Sequence, residues 1–175
     1  MSEQNISAFP QSSASPSARN QGVTLDLDWV GAAQANTSAI ERRAASLGAR
    51  RTVKKDYQAA WLLRAITCID LTTLSGDDTK ARVKRLCDKA RRPLRDDLLK
   101  ALDIASLQTG AICVYHDMVE TAVTALKGSG IPVAAVSTGF PAGVSPLELR
   151  IADIEASVAA GAREIDTALS RSPAL

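Results

Sequence analysis

Two aspartates stand inside otherwise apolar stretches, where burying an unpaired charge is costly. Asp70 lies in the stretch 66–71, and Asp166 lies in the stretch 164–169. A carboxylate that is partly shielded from water suits proton transfer, which is general acid–base chemistry. We therefore predict that Asp70 and Asp166 are catalytic residues.

The competing interpretation is that each aspartate makes a turn or caps a helix. For Asp70 this is disfavoured, because Asp77 and Asp78 follow it and are better placed to cap the next helix. Asp166 stands in the middle of its stretch, where there is no helix start to cap. The chemical interpretation is preferred at both positions.

The elements that must position these side chains follow a repeated pattern, in which a short apolar stretch precedes a helix with one apolar side. The predicted strands cover 66–71, 111–115, 132–137 and 164–169. Such alternation is typical of right-handed βαβ units and a parallel sheet. An open doubly wound sheet and a β/α barrel both fit. The absence of a G-x-G-x-x-G turn after the first strand favours the barrel.

The predicted fold class is therefore α/β, comprising the first four β/α units of a TIM (β/α)8 barrel. Side chains alternate between the two faces of a strand, so Asp70 and Asp166 can both point into such a barrel. Active sites of these barrels lie at the C-terminal ends of the strands. We expect the two aspartates to approach one another at the barrel mouth.

Three regions are predicted along the chain. Residues 1–22 are rich in Ser, Asn, Gln and Ala, and their low hydrophobicity predicts a disordered tail. Residues 23–60 form an N-terminal helical extension, and residues 61–175 form the partial barrel domain.

Composition excludes several classes of partner and site. A net charge of +2 gives no argument for a nucleic-acid or membrane partner, and no stretch approaches the roughly 18 apolar residues of a membrane span. The cysteines are not spaced as a disulfide framework, which predicts reduced thiols in a cytoplasmic protein. His116, the only histidine, has no nearby ligand spacing, so no metal site is expected.

Four ordered blocks of sequence resemble the first four strand regions of deoxyribose-phosphate aldolases. They are Ile-Asp-Leu-Thr-Thr-Leu-Ser-Gly-Asp-Asp-Thr (69–79), Cys-Val-Tyr (113–115), Pro-Val-Ala-Ala-Val-Ser-Thr-Gly-Phe-Pro-Ala-Gly (132–143) and Gly-Ala-Arg-Glu-Ile-Asp (161–166). The resemblance covers about residues 57–172 and corresponds to the N-terminal half of the family's barrel. It implies a lyase of deoxyribonucleotide catabolism, which reversibly cleaves 2-deoxy-D-ribose 5-phosphate to D-glyceraldehyde 3-phosphate and acetaldehyde.

The resemblance also implies roles for particular residues. Asp166 matches the family aspartate that relays protons, and Asp70 matches one that helps to fix the lysines and the substrate. Thr72 and Cys113 match positions that line the substrate pocket. The family uses no metal or other cofactor, acts on a small phosphosugar, and is compatible with a homo-oligomer.

The chemistry of the family depends on a lysine that forms a Schiff base with the substrate carbonyl. By resemblance, that lysine and its partner belong to strands that follow the four predicted here. The lysines of this sequence all fall on predicted helices or solvent-facing segments. We therefore expect these 175 residues to behave as an inactive fragment of an aldolase.

Two other interpretations stay open at this point. One is a different phosphate-using β/α-barrel enzyme, which a lysine-free active site in a longer reading frame would favour. The other is a non-catalytic half-barrel that acts as a binding or assembly module through its open sheet edges. Dimer formation independent of substrate would favour this second alternative.

Overall fold

A computed structural model describes residue 24 and residues 26–171 of the chain. The tail predicted at 1–22 lies outside these residues. The chain divides into two units, one ending at Arg51 and one beginning at Thr52. The first unit contains helices α1 (Leu27–Ala32) and α2 (Thr37–Leu47). The Asn36 side chain starts α2 by accepting a hydrogen bond from the Ala39 amide.

The second unit alternates strands and helices in the predicted way. Its helices are α3 (Lys55–Ile66), α4 (Lys80–Arg91), α5 (Asp96–Ala101), α6 (Val119–Ala125) and α7 (Leu147–Ala159). Its strands are β1 (Asp70–Thr72), β2 (Ala111–Tyr115), β3 (Val133–Ser137) and β4 (Glu164–Thr167). None of the helices in the described ranges is both long enough and apolar enough to cross a membrane.

The strands form one four-stranded sheet in the order β1-β2-β3-β4, and all three pairings are parallel. The predicted α/β fold class is confirmed. Sequential parallel order is what consecutive β/α units of a barrel produce, whereas a doubly wound sheet reverses its strand order. The described part of the chain therefore has the arrangement of the first four units of a TIM barrel.

The core lies between one face of the sheet and helices α4 and α6. Val83, Cys87 and Ala90 form the buried side of α4. They pack with strand residues such as Ile112 and Val114, neither of which is exposed. Burying each such aliphatic side chain stabilises the fold by roughly 1.5–3 kcal/mol relative to leaving it in water. This helix-covered side fixes which strand residues point to the opposite face.

The prediction of a strand at 66–71 is wrong at its start, because α3 continues to Ile66 and β1 begins only at Asp70. The amides of Cys68 and Ile69 bond to the carbonyls of Ala65 and Ile66, so the chain leaves the helix through a tight turn. A short apolar stretch cannot by its pattern be told from the end of a helix.

The predicted cap of α4 is also wrong. Thr79 is the N-cap, and its side chain accepts from the Arg82 amide. Asp78 instead accepts hydrogen bonds from the Thr73 hydroxyl and the Ser75 amide, and it pairs with Arg82. This cluster closes the loop after β1.

The predicted boundary between the helical extension and the barrel, at residues 60 and 61, falls within α3. That division of the chain into regions stays a prediction.

Candidate active site

The face of the sheet that points away from α4 and α6 carries all four candidate residues. Leu71, Ile112 and Ile165 pack into the helix-covered core, so their strand neighbours point the other way. We call the face that carries Asp70, Thr72, Cys113 and Asp166 the site face.

Register places Cys113 at the centre of this face. Thr72 lies opposite Cys113 on the neighbouring strand, and Ala134 lies opposite it on the other side. Cys113 and Ala134 are almost completely buried, as is Val136, and Leu74 and Tyr115 pack over them. The middle of the site face is therefore buried from solvent.

The charges of both aspartates influence the pKa of the Cys113 thiol. The pKa of Cys113 is raised to about 11, first by burial and then by the negative charges of Asp166 and Asp70. Hydrogen bonding by the Thr72 side chain works in the opposite direction on that pKa. The four residues predicted from sequence thus form one neighbourhood around this thiol.

The sequence led us to expect that the two aspartates approach one another. The strand register instead places them at different levels of the sheet. Asp70 is the first residue of β1 and pairs with Ala111, whereas Asp166 pairs with Val136, which itself pairs with Tyr115. Two strands and a four-residue step in register therefore separate them. At about 4.8 Å between strands and about 3.3 Å per residue, each component of that separation is more than 10 Å on a flat sheet.

Of the two aspartates, only Asp166 lies near the C-terminal end of its strand, where barrel enzymes place their chemistry. Asp166 is exposed, and among the described residues no protein group donates a hydrogen bond to its carboxylate. Such a carboxylate is free to exchange protons with a substrate or a water molecule. Asp70 lies at the opposite end of its strand, and its negative charge raises the pKa of Cys113.

The loops at the C-terminal ends of β1 and β2 border an open cleft of about 340 Å³. Its lining includes Tyr115, the last residue of β2. The lining residues are Ser75, Gly76, Asp78, Tyr115, His116, Asp117 and Met118. The Tyr115 ring also makes an edge-on contact with Phe140 from the loop after β3, at 6.1 Å between centroids. Residues at or after the ends of β1, β2 and β3 therefore lie together at the C-terminal edge of the sheet.

Sequence reasoning missed the polar contacts that hold the end of β4. The Thr138 hydroxyl bonds to both backbone groups of Ala168, and the Thr138 amide donates to Asp153. No spacing in the sequence signals these pairs, because each joins residues 15 or 30 positions apart.

Within the described ranges, no three His, Cys, Asp or Glu side chains are grouped to hold a metal ion. Every lysine of the sequence is exposed, and none lies on a strand. A nucleophilic lysine needs an apolar pocket or a cationic neighbour that favours its neutral form. The site face as described supplies carboxylates and a hydroxyl, without an amine.

No family model matches the chain. Curated relatives do match it. Human deoxyribose-phosphate aldolase is 54% identical over 160 residues, which is 89% of this chain and 50% of the human protein. The bovine protein of the same name is 54% identical over 159 residues, with the same coverage of both chains.

Among solved structures, the deoxyribose-phosphate aldolase of Aeropyrum pernix, described as tetrameric, is similar with a TM-score of 0.46 and 21% sequence identity. The match covers 60% of this chain and 38% of that one. The chain spans about half the length of the curated relatives it matches. By its sequence, the chain is similar to deoxyribose-phosphate aldolases over that half of their length.

Proposed function

We propose that this chain provides the acid–base side of an aldolase active site that cleaves 2-deoxy-D-ribose 5-phosphate to D-glyceraldehyde 3-phosphate and acetaldehyde. Asp166 is the proton-transfer residue, and Asp70 helps to set the charge of the site. Thr72 and Cys113 line the substrate pocket. The observation that carries the proposal is that these four residues share one face of a parallel sheet, around Cys113.

The electrophilic half of the chemistry needs a lysine that these 175 residues do not place on the site face. In a Schiff-base aldolase the protonated imine accepts the electrons of the breaking carbon–carbon bond. Asp166 would then move the protons needed to form and hydrolyse that imine. We propose that the polypeptide of these 175 residues has no turnover by itself.

The proposed setting is the cytoplasm, with a phosphosugar as the small-molecule partner and with no nucleic-acid or membrane partner. It is supported by three free cysteines, which suit a reducing compartment, and by a net charge of only +2. The proposal is compatible with a homo-oligomer.

A chimaera tests the function directly. This chain would replace the matched half of human deoxyribose-phosphate aldolase, to which it is 54% identical. We expect the chimaera to cleave 2-deoxyribose 5-phosphate, and Asp166→Asn to lower its turnover by roughly 10²–10⁴-fold, the usual worth of a general acid–base residue. Steady-state kinetics of both proteins provide the measurement.

The matched control is Asp88→Asn, which changes an exposed aspartate on α4 and should leave turnover unchanged. Thermal melts complete the comparison, because Asp166 is exposed and its substitution should hardly change stability. A folded but inactive chimaera would refute the proposed function. An Asp166→Asn chimaera that kept its turnover but lost several kcal/mol of stability would show that the aspartate is structural.

A further inference from the structure

The chain leaving β4 is held by a side chain in addition to one long backbone bond, 3.4 Å from the Ala168 amide to the Ser137 carbonyl. The last paired residues of β3 and β4 are Ser137 and Thr167. At the next position the Thr138 hydroxyl accepts a hydrogen bond from the Ala168 amide at 2.7 Å and donates one to the Ala168 carbonyl at 2.9 Å. One hydroxyl therefore satisfies both backbone groups of Ala168, since a hydroxyl can donate and accept at once.

Thr138 is itself fixed from the helix side. Its φ angle is 65°, a left-handed conformation that is uncommon for a β-branched residue and persists only where the surroundings impose it. The Thr138 amide donates to the Asp153 carboxylate of α7 at 2.8 Å, and Thr138 is only 7% exposed. Asp153 thus holds the backbone turn that aims the Thr138 hydroxyl at Ala168.

This arrangement lies two residues from Asp166, whose position depends on the backbone of β4. Among the described residues, β4 pairs only with β3, and no protein group donates a hydrogen bond to the Asp166 carboxylate. The pairing of β4 with β3 ends one residue after Asp166. Any fraying of this end therefore moves the carboxylate.

We propose that Thr138, held by Asp153, is a positioning residue that fixes the Asp166 carboxylate on the site face. The inference rests on the proposed function for the use of Asp166, and it adds the residues that keep Asp166 in place.

The Cys113 thiol reports the position of Asp166 without any substrate. Burial and the Asp166 charge both raise the pKa of Cys113, so little of the thiol is ionised near neutral pH. Alkylation requires the thiolate. Neutralising or displacing the Asp166 carboxylate should therefore speed the alkylation of Cys113.

The experiment measures the alkylation of Cys113 by iodoacetamide at pH 8.5 in the 175-residue chain, with peptide mass spectrometry to separate Cys113 from the other thiols. Asp166→Asn should raise the rate roughly threefold or more, because the pKa of Cys113 falls when the Asp166 charge is removed. Thr138→Val, which keeps the shape and removes the hydroxyl, should give a similar rise. Thr138→Ser, which keeps the hydroxyl, should retain the original rate.

The decisive comparison is Thr138→Val in the Asp166→Asn background. If Thr138 acts through Asp166, the second substitution adds less than about a twofold change, because coupled sites are not additive. Amide exchange at Ala168 should quicken with Thr138→Val, while exchange at Cys113 stays slow and excludes a general opening of β2.

Three results would overturn the proposal. They are an unchanged Cys113 rate in Asp166→Asn, an unchanged rate in Thr138→Val despite faster exchange at Ala168, and equal effects of Thr138→Val in both backgrounds. If Thr138→Val does not fold, Asp153→Ala replaces it. The Cys113 rate of Asp153→Ala is then compared in the original and the Asp166→Asn backgrounds, and the same results would overturn the proposal. Because no aldolase substrate is used, an inactive chimaera would leave this test intact.

Discussion

At the scale of single residues, Cys113 is the group whose ionisation the fold changes most clearly. The thiol is only 2% exposed, and two carboxylates share its face of the sheet. Its pKa rises from an ordinary value of 9.0 to about 11, first through burial and then through Asp166 and Asp70. The folded state therefore favours the protonated thiol more than the unfolded state does.

This shift predicts how stability depends on pH. A raised pKa in the folded state gives stability that is complete below pH 9 and is lost as pH rises from 9 to about 11. A shift of this size corresponds to at most about 2–3 kcal/mol. Urea unfolding in reductant between pH 8.5 and 11 should show the loss, and Cys113→Ser should reduce it. Cys68→Ser, which removes an exposed thiol, should leave the pH dependence as it was.

At the scale of elements, the loop between β3 and α7 packs directly against the chain that leaves β4. Gly143 has a φ angle of 67°, and a side chain there would come within 2.9 Å of the backbone of Ala168, Leu169 and Ser170. Glycine is required at this position for its conformation and for the close approach. The loop and the chain after β4 are thus in close backbone contact at Gly143.

Gly143→Ala should destabilise the protein by about 1–3 kcal/mol or more, from backbone strain and the contact together. Gly128→Ala is the matched control, since Gly128 has a φ angle of 80° but no atom within 4 Å of the added carbon. Thermal or urea unfolding of the two variants separates the contact from the strain. Equal losses would mean that the approach of the β4 end contributes nothing to stability.

At the scale of the whole molecule, the site face carries carboxylates on both edge strands while the lysines lie outside the sheet. Acetaldehyde and borohydride trap an imine on any lysine that can form one. We expect no stoichiometric adduct on a single lysine of the 175-residue chain, whereas the chimaera with the human half should be labelled once. Mass spectrometry of the two proteins makes the comparison. A stoichiometric adduct in the 175-residue chain would reveal a substitute nucleophile and contradict the proposed lack of turnover.

Local pattern was enough to predict much of this architecture. The strand at 111–115 was placed correctly, because the stretch is too short to form a helix of its own and a new helix follows it. Helical periodicity also accounts for the buried side of α4, because it puts Val83, Cys87 and Ala90 on one face. Parallel order followed from the alternation of strand and helix.

The tertiary structure alone decided how the candidate residues meet. Whether Ile66 ends a helix or begins a strand depends on hydrogen bonds that its apolar character does not encode. Register, which no single stretch contains, put Asp70 and Asp166 four residues out of step and placed Cys113 between them. The contact of Thr138 with Ala168 joins positions 30 residues apart, and it forms only because two neighbouring strands bring them together.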